Sequence, residues 1–308
     1  MKKMFGFGIN EFADPSSNLN GCVNDTVNVR RFCVDTLHVD PRNIRLLCDQ
    51  RATRMNIFER LDWCSRDWPE APVPELDQLV IQMSTHGSQI LDREGDEVDD
   101  QKDEVICPHD YPSLWDSPNC EDARACQVLL GQEPKPQICD DDIAVFLRKI
   151  PKGVYTLVIV DACHSGSMNR SIMESKVKAK MIRPPVDLQS RWMDRDDVKT
   201  RPFGHKPGIE IRPRDHANVH FIEQNHILLS GCRDDQTSAD AMIDSSYQGA
   251  MTWSLLDSLK KTGFMDGGAP TWLEVHDEMV STLHDQGYSQ VPQLTGPEDL
   301  LNDPVFMR

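Results

Sequence analysis

The chain is short of positive charge. Its 33 lysines and arginines face 50 aspartates and glutamates, a formal net charge of −17 at pH 7. That balance argues against a nucleic-acid-binding surface and favours cationic partners or substrates. Long hydrophobic runs are also missing, and no stretch approaches the ~20 apolar residues of a membrane span. No Cys-x-x-Cys pair occurs among the ten cysteines, which removes the commonest signature of a zinc site. The cysteines form no compact spacing framework either, so they read as reduced thiols of a cytosol-like compartment. The first residues enter a strand pattern with no signal-peptide profile, and the expected location is cytoplasmic. No internal repeat is present.

What the chain does have is an alternation of short apolar runs and amphipathic segments. Strands are expected at residues 3–9, 43–48, 79–84, 155–160 and 226–230, and helices at 24–37, 54–65, 141–149, 249–261 and 273–285. The last helix opens on Thr271-Trp-Leu-Glu274, a capping box. Strands that alternate with helices imply an α/β fold, a mostly parallel sheet with helices on both faces. Two segments break the pattern. Residues 87–138 are rich in Asp, Glu, Pro and Cys and read as a long irregular excursion. Residues 168–222 are rich in Arg, Lys and Pro and read as a linker, since a structureless stretch of that length is functional or mobile.

One strand carries the chemistry. Val154-Tyr-Thr-Leu-Val-Ile-Val-Asp-Ala-Cys163 is apolar and β-branched, as a buried parallel strand should be. It ends in a thiol followed by His164 and small turn residues. In open α/β sheets ligands gather at the carboxyl ends of strands. A second strand, Leu79 to Ser84, runs into Thr85-His86-Gly87. The period of two along a strand puts Ser84 and His86 on one side, and likewise Asp161 and Cys163. A cysteine nucleophile needs a base within hydrogen-bond reach, and His86 is the candidate. A buried strand-end thiol with no reactivity is the plain alternative for Cys163. His164 is adjacent to the thiol but points to the opposite side if the strand geometry persists, so its role is read as structural.

Seven fragments, in order along the chain, now make a joint pattern. They are Phe5-Gly-Phe-Gly-Ile-Asn10, Leu19-Asn-Gly-Cys-Val-Asn-Asp25, Ser84-Thr-His-Gly87, Asp96 to Glu104 with Cys107-Pro108, Asp140-Asp-Asp-Ile143, Asp161-Ala-Cys-His-Ser-Gly166, and Ser230-Gly-Cys-Arg-Asp-Asp-Gln-Thr-Ser-Ala-Asp240. In these motifs the chain resembles the metacaspases and their prokaryotic caspase homologues. One departure is that Thr85 stands where the family's histidine motif has glycine, a change that a strand end should tolerate.

The resemblance implies a caspase-like sheet of about six strands. It divides the chain into a larger part at 1–167 with nucleophile and base, the linker at 168–222, and a smaller part at 223–308 completing the same sheet. It also implies a cysteine endopeptidase with Cys163 as nucleophile, His86 as base, and the backbone N–H groups of Gly87 and Cys163 as oxyanion donors. The substrates implied are proteins or peptides with Arg or Lys before the cut, bound by Cys22, Asp25, Ser84 and Asp161. For Asp25 the bland alternative is a carboxylate favoured by a helix N-terminus. Calcium is the implied cofactor, drawing on Asp103, Asp140 and Asp141. The fourth family position falls at Arg170, or at Asn169 with a one-residue slip, and Arg cannot ligate calcium whereas Asn can. Asp140 to Asp142 would otherwise cap a helix. Self-cleavage is expected within 168–222, which offers Lys176, Lys178, Lys180, Arg183, Arg191, Arg195, Arg201 and Lys206. A catalytically silent scaffold that binds protein partners is the runner-up. It would be favoured by loss of the cysteine or histidine, and both are present.

Overall fold

The computed structural model describes residues 1–91, 102–111, 138–162, 177–180, 226–232 and 236–306. Its centre is a six-stranded sheet in the order β12-β9-β7-β3-β1-β2. These strands are β1 (Lys2–Gly8), β2 (Ile44–Cys48), β3 (Gln78–Ser84), β7 (Tyr155–Asp161), β9 (His226–Ser230) and β12 (Gln293–Thr295). All pairs are parallel except the last, β12 on β9. The five strands expected from sequence are there, within a residue or so at each end. β12 is an addition that its three residues do not announce.

Alternating side chains fill two cores, one on each face. Phe5, Phe7, Leu79, Ile81, Met83, Val158 and Val160 pack on helices α2 (Arg54–Ser65) and α3 (Asp140–Leu147). Met4, Val80, Leu157, Ile159, Ile227 and Leu229 pack on α1 (Cys22–Asp35), α4 (Ala250–Lys261), α5 (Trp272–Asp285) and α6 (Glu298–Asn302). Near-continuous apolar strands are what burial on both faces demands. α5 begins with the expected capping box, in which the Glu274 N–H donates to Thr271 Oγ1 at 3.2 Å and the Thr271 N–H to Glu274 Oε2 at 2.8 Å. On the other face Arg54 pairs with Asp142 at 3.6 Å, both buried, and ties α2 to α3.

Two expectations need correction. The excursion at 87–138 is not irregular throughout. β4 (Gly87–Leu91), β5 (Lys102–Ile106) and β6 (Ile138–Cys139) form a three-stranded antiparallel sheet. Backbone pairing, which is indifferent to side-chain charge, supports strands that a composition rich in Asp and Glu disguises. Likewise the linker contains β8 (Val177–Ala179), which pairs antiparallel with β10 (Ala239–Ile243), itself paired with β11 (Ser246–Gly249). No period marks 177–179 in the sequence, because three residues are too few to show one.

Cys22, Cys33, Cys48, Cys64 and Cys107 are free thiols. No helix among the described residues is long and apolar enough to cross a membrane.

His226, at the start of β9, is buried, and burial lowers its pKa from 6.5 to about 4. The unfolded chain therefore binds a proton between those values that the folded chain refuses. The contribution is present above pH ~6.5 and is lost as the pH falls through that window, up to about 3 kcal/mol. Urea midpoints of the wild type should fall more steeply between pH 7 and about 4.5 than those of His226→Asn. Parallel curves would rule the titration out.

Candidate active site

Register builds the site. Ser84 and Asp161 are direct partners where β3 and β7 end. Both lie on the face whose core α1 and α4 cover, Ser84 in step with Val80 and Asp161 in step with Leu157 and Ile159. α1 can approach because β1 ends in glycine: a Cβ at Gly8 would lie 2.1 Å from the Cys22 carbonyl oxygen. That closeness carries Asp25, in the first turn of α1, over the ends of the central strands.

The three polar side chains converge on one buried point, and a cation of the chain itself sits there. Lys180, which follows β8, places Nζ 3.0 Å from Asp25 Oδ2, 3.0 Å from Asp161 Oδ1 and 2.9 Å from Ser84 Oγ. Lys180, Asp25 and Asp161 have no exposed side-chain surface. The remaining oxygens are held from outside the group. The Gly249 N–H donates to Asp25 Oδ1 at 2.7 Å. Thr252 donates its N–H at 3.0 Å and its hydroxyl at 2.7 Å to Asp161 Oδ2, and Ser238 Oγ donates to Asp161 Oδ1 at 2.7 Å. Ser84 Oγ donates to Asp25 Oδ2 at 2.6 Å.

These donors divide the two carboxylates. Burial opposes ionisation of both. Lys180, Ser238 and Thr252 nevertheless bring Asp161 below its ordinary range, whereas Asp25 is pushed up to about 6 by burial and by the neighbouring Asp161, against the pull of Lys180. The ammonium between them is raised well above its usual value because both carboxylates outweigh its desolvation. Cys22 lies buried at the start of α1, where desolvation raises its thiol pKa, so it lines the group as a neutral thiol. Asp25 is thus more than a helix-end carboxylate, since it is fully buried and bonded to β3, β8's successor residue and Gly249.

The loop after β3 is clamped. Thr85, the departure from the family motif, donates its hydroxyl to the Cys107 carbonyl at 2.8 Å, and the Cys107 N–H donates to the His86 carbonyl at 2.9 Å. A glycine could not make the first of these bonds. His86 is buried against Phe12, ring centroids 4.9 Å apart. Its Nε2 lies 2.7 Å from the Ser17 carbonyl oxygen. A carbonyl only accepts, so Nε2 carries the proton and Nδ1 holds the lone pair in the neutral ring. Burial lowers the ring's pKa to about 4, against smaller upward pulls from the Ser17 and Lys180 backbone.

The Lys180 main chain is held as well. The Gly87 N–H donates to its carbonyl at 3.0 Å, and its own N–H donates to the Ser238 carbonyl at 3.1 Å. Upstream, Lys178 pairs with Asp240 in the β8–β10 register and donates from Nζ to the Asn18 carbonyl at 2.8 Å. Asp240 Oδ2 in turn accepts from the Asn20 N–H at 2.7 Å, which steadies the turn into α1.

Of the site residues expected from sequence, Cys22, Asp25, Ser84 and Asp161 come together, and His86 and Gly87 lie at the adjoining loop. Cys163 lies outside the described residues, one position after buried Ala162. His164, Asn169 and Arg170 are outside them too. Asp103 and Asp141 are described in backbone only, and Asp140 opens α3. Among the described residues no three His, Cys, Asp or Glu side chains gather as a metal site. Sequence reasoning missed Ser238, Gly249 and Thr252. Ser238 stood inside a quoted motif, whereas nothing local marks a glycine and a threonine at the start of a helix. Lys180 is only one of twelve lysines and arginines in residues 168–222.

A mostly parallel sheet with a histidine loop after one central strand, and in the sequence a cysteine two residues past its neighbour, fits the caspase class of cysteine hydrolases. The model of the caspase domain matches residues 5–299, and the chain belongs to that family of cysteine-type endopeptidases. Curated relatives are metacaspases. Metacaspase-1 of Meyerozyma guilliermondii is 28% identical over 331 residues, covering 97% of this chain and 70% of its own. Metacaspase-1 of Scheffersomyces stipitis is 27% identical, with 97% and 72% covered. Metacaspase-1A of Neurospora crassa is 26% identical, with 99% and 65% covered. Two crystal structures share the fold. Protein GSU0716 of Geobacter sulfurreducens has a TM-score of 0.59 at 18% identity, with 99% of this chain and 98% of that one covered. Caspase-1 of Spodoptera frugiperda has 0.53 at 11%, with 100% and 92% covered.

Proposed function

We propose that the enzyme cuts protein chains after basic residues, and that it cuts itself after Lys180. One observation carries the reading. A lysine of the chain occupies an acidic buried pocket while its own carbonyl accepts from Gly87 and its strand pairs with β10. That is the posture of a substrate: an extended segment added to a sheet edge, one side chain in a pocket, one carbonyl on a backbone donor. Two carboxylates in a dry pocket need a cation, and an aspartate before the cut would be repelled.

The chemistry follows from the placement. Nδ1 of neutral His86 takes the proton of the Cys163 thiol, and the thiolate attacks the Lys180 carbonyl carbon. The oxygen gains charge beside the Gly87 N–H. Collapse breaks the Lys180–Met181 peptide bond, and the histidine returns the proton to the departing Met181 amine. Water then hydrolyses the thioester by the same base. Until the cut, Lys180 blocks the pocket, so the intact chain is its own competitor. Incubation followed by mapping of new termini should find a fragment that ends at Lys180. Cuts only elsewhere, or the same fragment from Cys163→Ala alone, would refute self-cleavage at this bond.

Calcium stimulation belongs to the same proposal. The β5–β6 register sets Val105 opposite Cys139, so Asp103 on β5 runs alongside the chain at Asp140 and Asp141. Carboxylate oxygens are the donors that calcium takes, and these three would hold it. When bound, the ion would supply positive charge that orders this acidic corner. Asp142 has a separate task, accepting from the Cys139 N–H at 3.2 Å as the helix cap. Calcium at ~0.1–1 mM should raise peptide turnover several-fold. Calorimetry without binding, together with full activity in chelator, would sink this part.

A further inference from the structure

We infer that the pocket is built for lysine rather than arginine, with Gly249 setting its depth; the inference rests on the reading of the Lys180 site as the substrate pocket. The acceptors number three, Asp25 Oδ2, Asp161 Oδ1 and Ser84 Oγ, and each lies 2.9–3.0 Å from one point. An ammonium suits this point, with one N–H turned to Asp161 Oδ1 and another shared between Asp25 Oδ2 and Ser84 Oγ, which lie 2.6 Å apart. A guanidinium is a planar fork of five donors that is best met by both oxygens of one carboxylate. Neither carboxylate offers both. Asp25 Oδ1 is taken by the Gly249 N–H, and Asp161 Oδ2 by the Thr252 N–H and hydroxyl.

Depth points the same way. Arginine puts its central carbon about where lysine has its nitrogen, so its two terminal nitrogens reach one bond further. The floor there is Gly249: a Cβ on it would lie 2.4 Å from Lys180 Nζ, 2.1 Å from Asp161 Oδ2 and 2.7 Å from Asp25 Oδ2. The space beyond the ammonium is thus backbone. To admit arginine, the N-terminus of α4 would have to withdraw and give up the bonds that hold both aspartates.

The test uses self-cleaved wild-type chain and matched fluorogenic peptides that differ only in lysine, arginine or alanine before the reporter. The lysine peptide should have a kcat/KM at least tenfold above the arginine peptide. Arginine equal to or better than lysine overturns the selectivity while the basic pocket stands. If neither basic peptide exceeds alanine, the pocket assignment falls and the selectivity with it. A second measurement needs no added substrate. Lys180→Arg in the full chain should self-cleave at residue 180 at least tenfold more slowly than wild type, and an equal rate overturns the inference.

Discussion

Alanine at Cys163 will abolish both peptide hydrolysis and the fragment that ends at Lys180, and alanine at His86 will lower kcat by about 10²–10⁴-fold. The two losses differ in kind. Without the thiol no acyl-enzyme forms, so nothing remains but the pocket. Without the imidazole the thiol must ionise unaided, and its thiolate fraction grows with pH. Residual activity of His86→Ala should therefore climb with pH where that of Cys163→Ala stays at zero. The His86 ring is neutral over the working range because burial holds its pKa to about 4. It is thus ready to accept a proton from near-neutral pH upward. Wild-type turnover by Cys163→Ala would end the mechanism.

The second large effect is expected at Lys180. Lys180→Met keeps an unbranched stem of similar length but removes the charge, leaving Asp25 and Asp161 facing one another with no cation. Deleting one partner of a buried ionic group costs about 3–5 kcal/mol while the site stays dry. Release of β8, which lets water reach the carboxylates, is the cheaper response. The uncut variant should therefore hydrolyse an added lysine peptide at least tenfold faster than uncut wild type, measured before any self-cleavage is visible on a gel. In a Cys163→Ala background the same substitution should lower the thermal midpoint. An unchanged initial rate and an unchanged midpoint together would show that Lys180 does not fill the pocket in solution.

Much of this was legible in the residues themselves. Strands such as Leu79–Ser84 and Tyr155–Val160 are apolar on both faces, and a segment that must be buried on both sides has little freedom in composition. Ser84 and Asp161 could be placed as strand-end residues because their strands end abruptly. What could not be read were the short elements. β6 and β12 have two and three residues, too few for a period. β8 lies in a stretch of lysines where charge hides the pairing. The backbone hydrogen bonds that define such strands leave no mark on side-chain composition.

The sequence by itself determined the class of fold, the imidazole just after one central strand, and the acidic character of the region around it. Local pattern suffices there, because strand burial and strand-end chemistry depend on a few consecutive residues. Only the tertiary structure decided that a lysine of the linker completes the acidic group. It also decided that the group closes on Gly249 and Thr252, which lie 224 residues from Asp25 and 91 from Asp161 along the chain. Such contacts come from the packing of α1 and α4 over the sheet. Two buried carboxylates require donors and a cation from wherever the fold can bring them, and sequence distance has no bearing on which residues arrive.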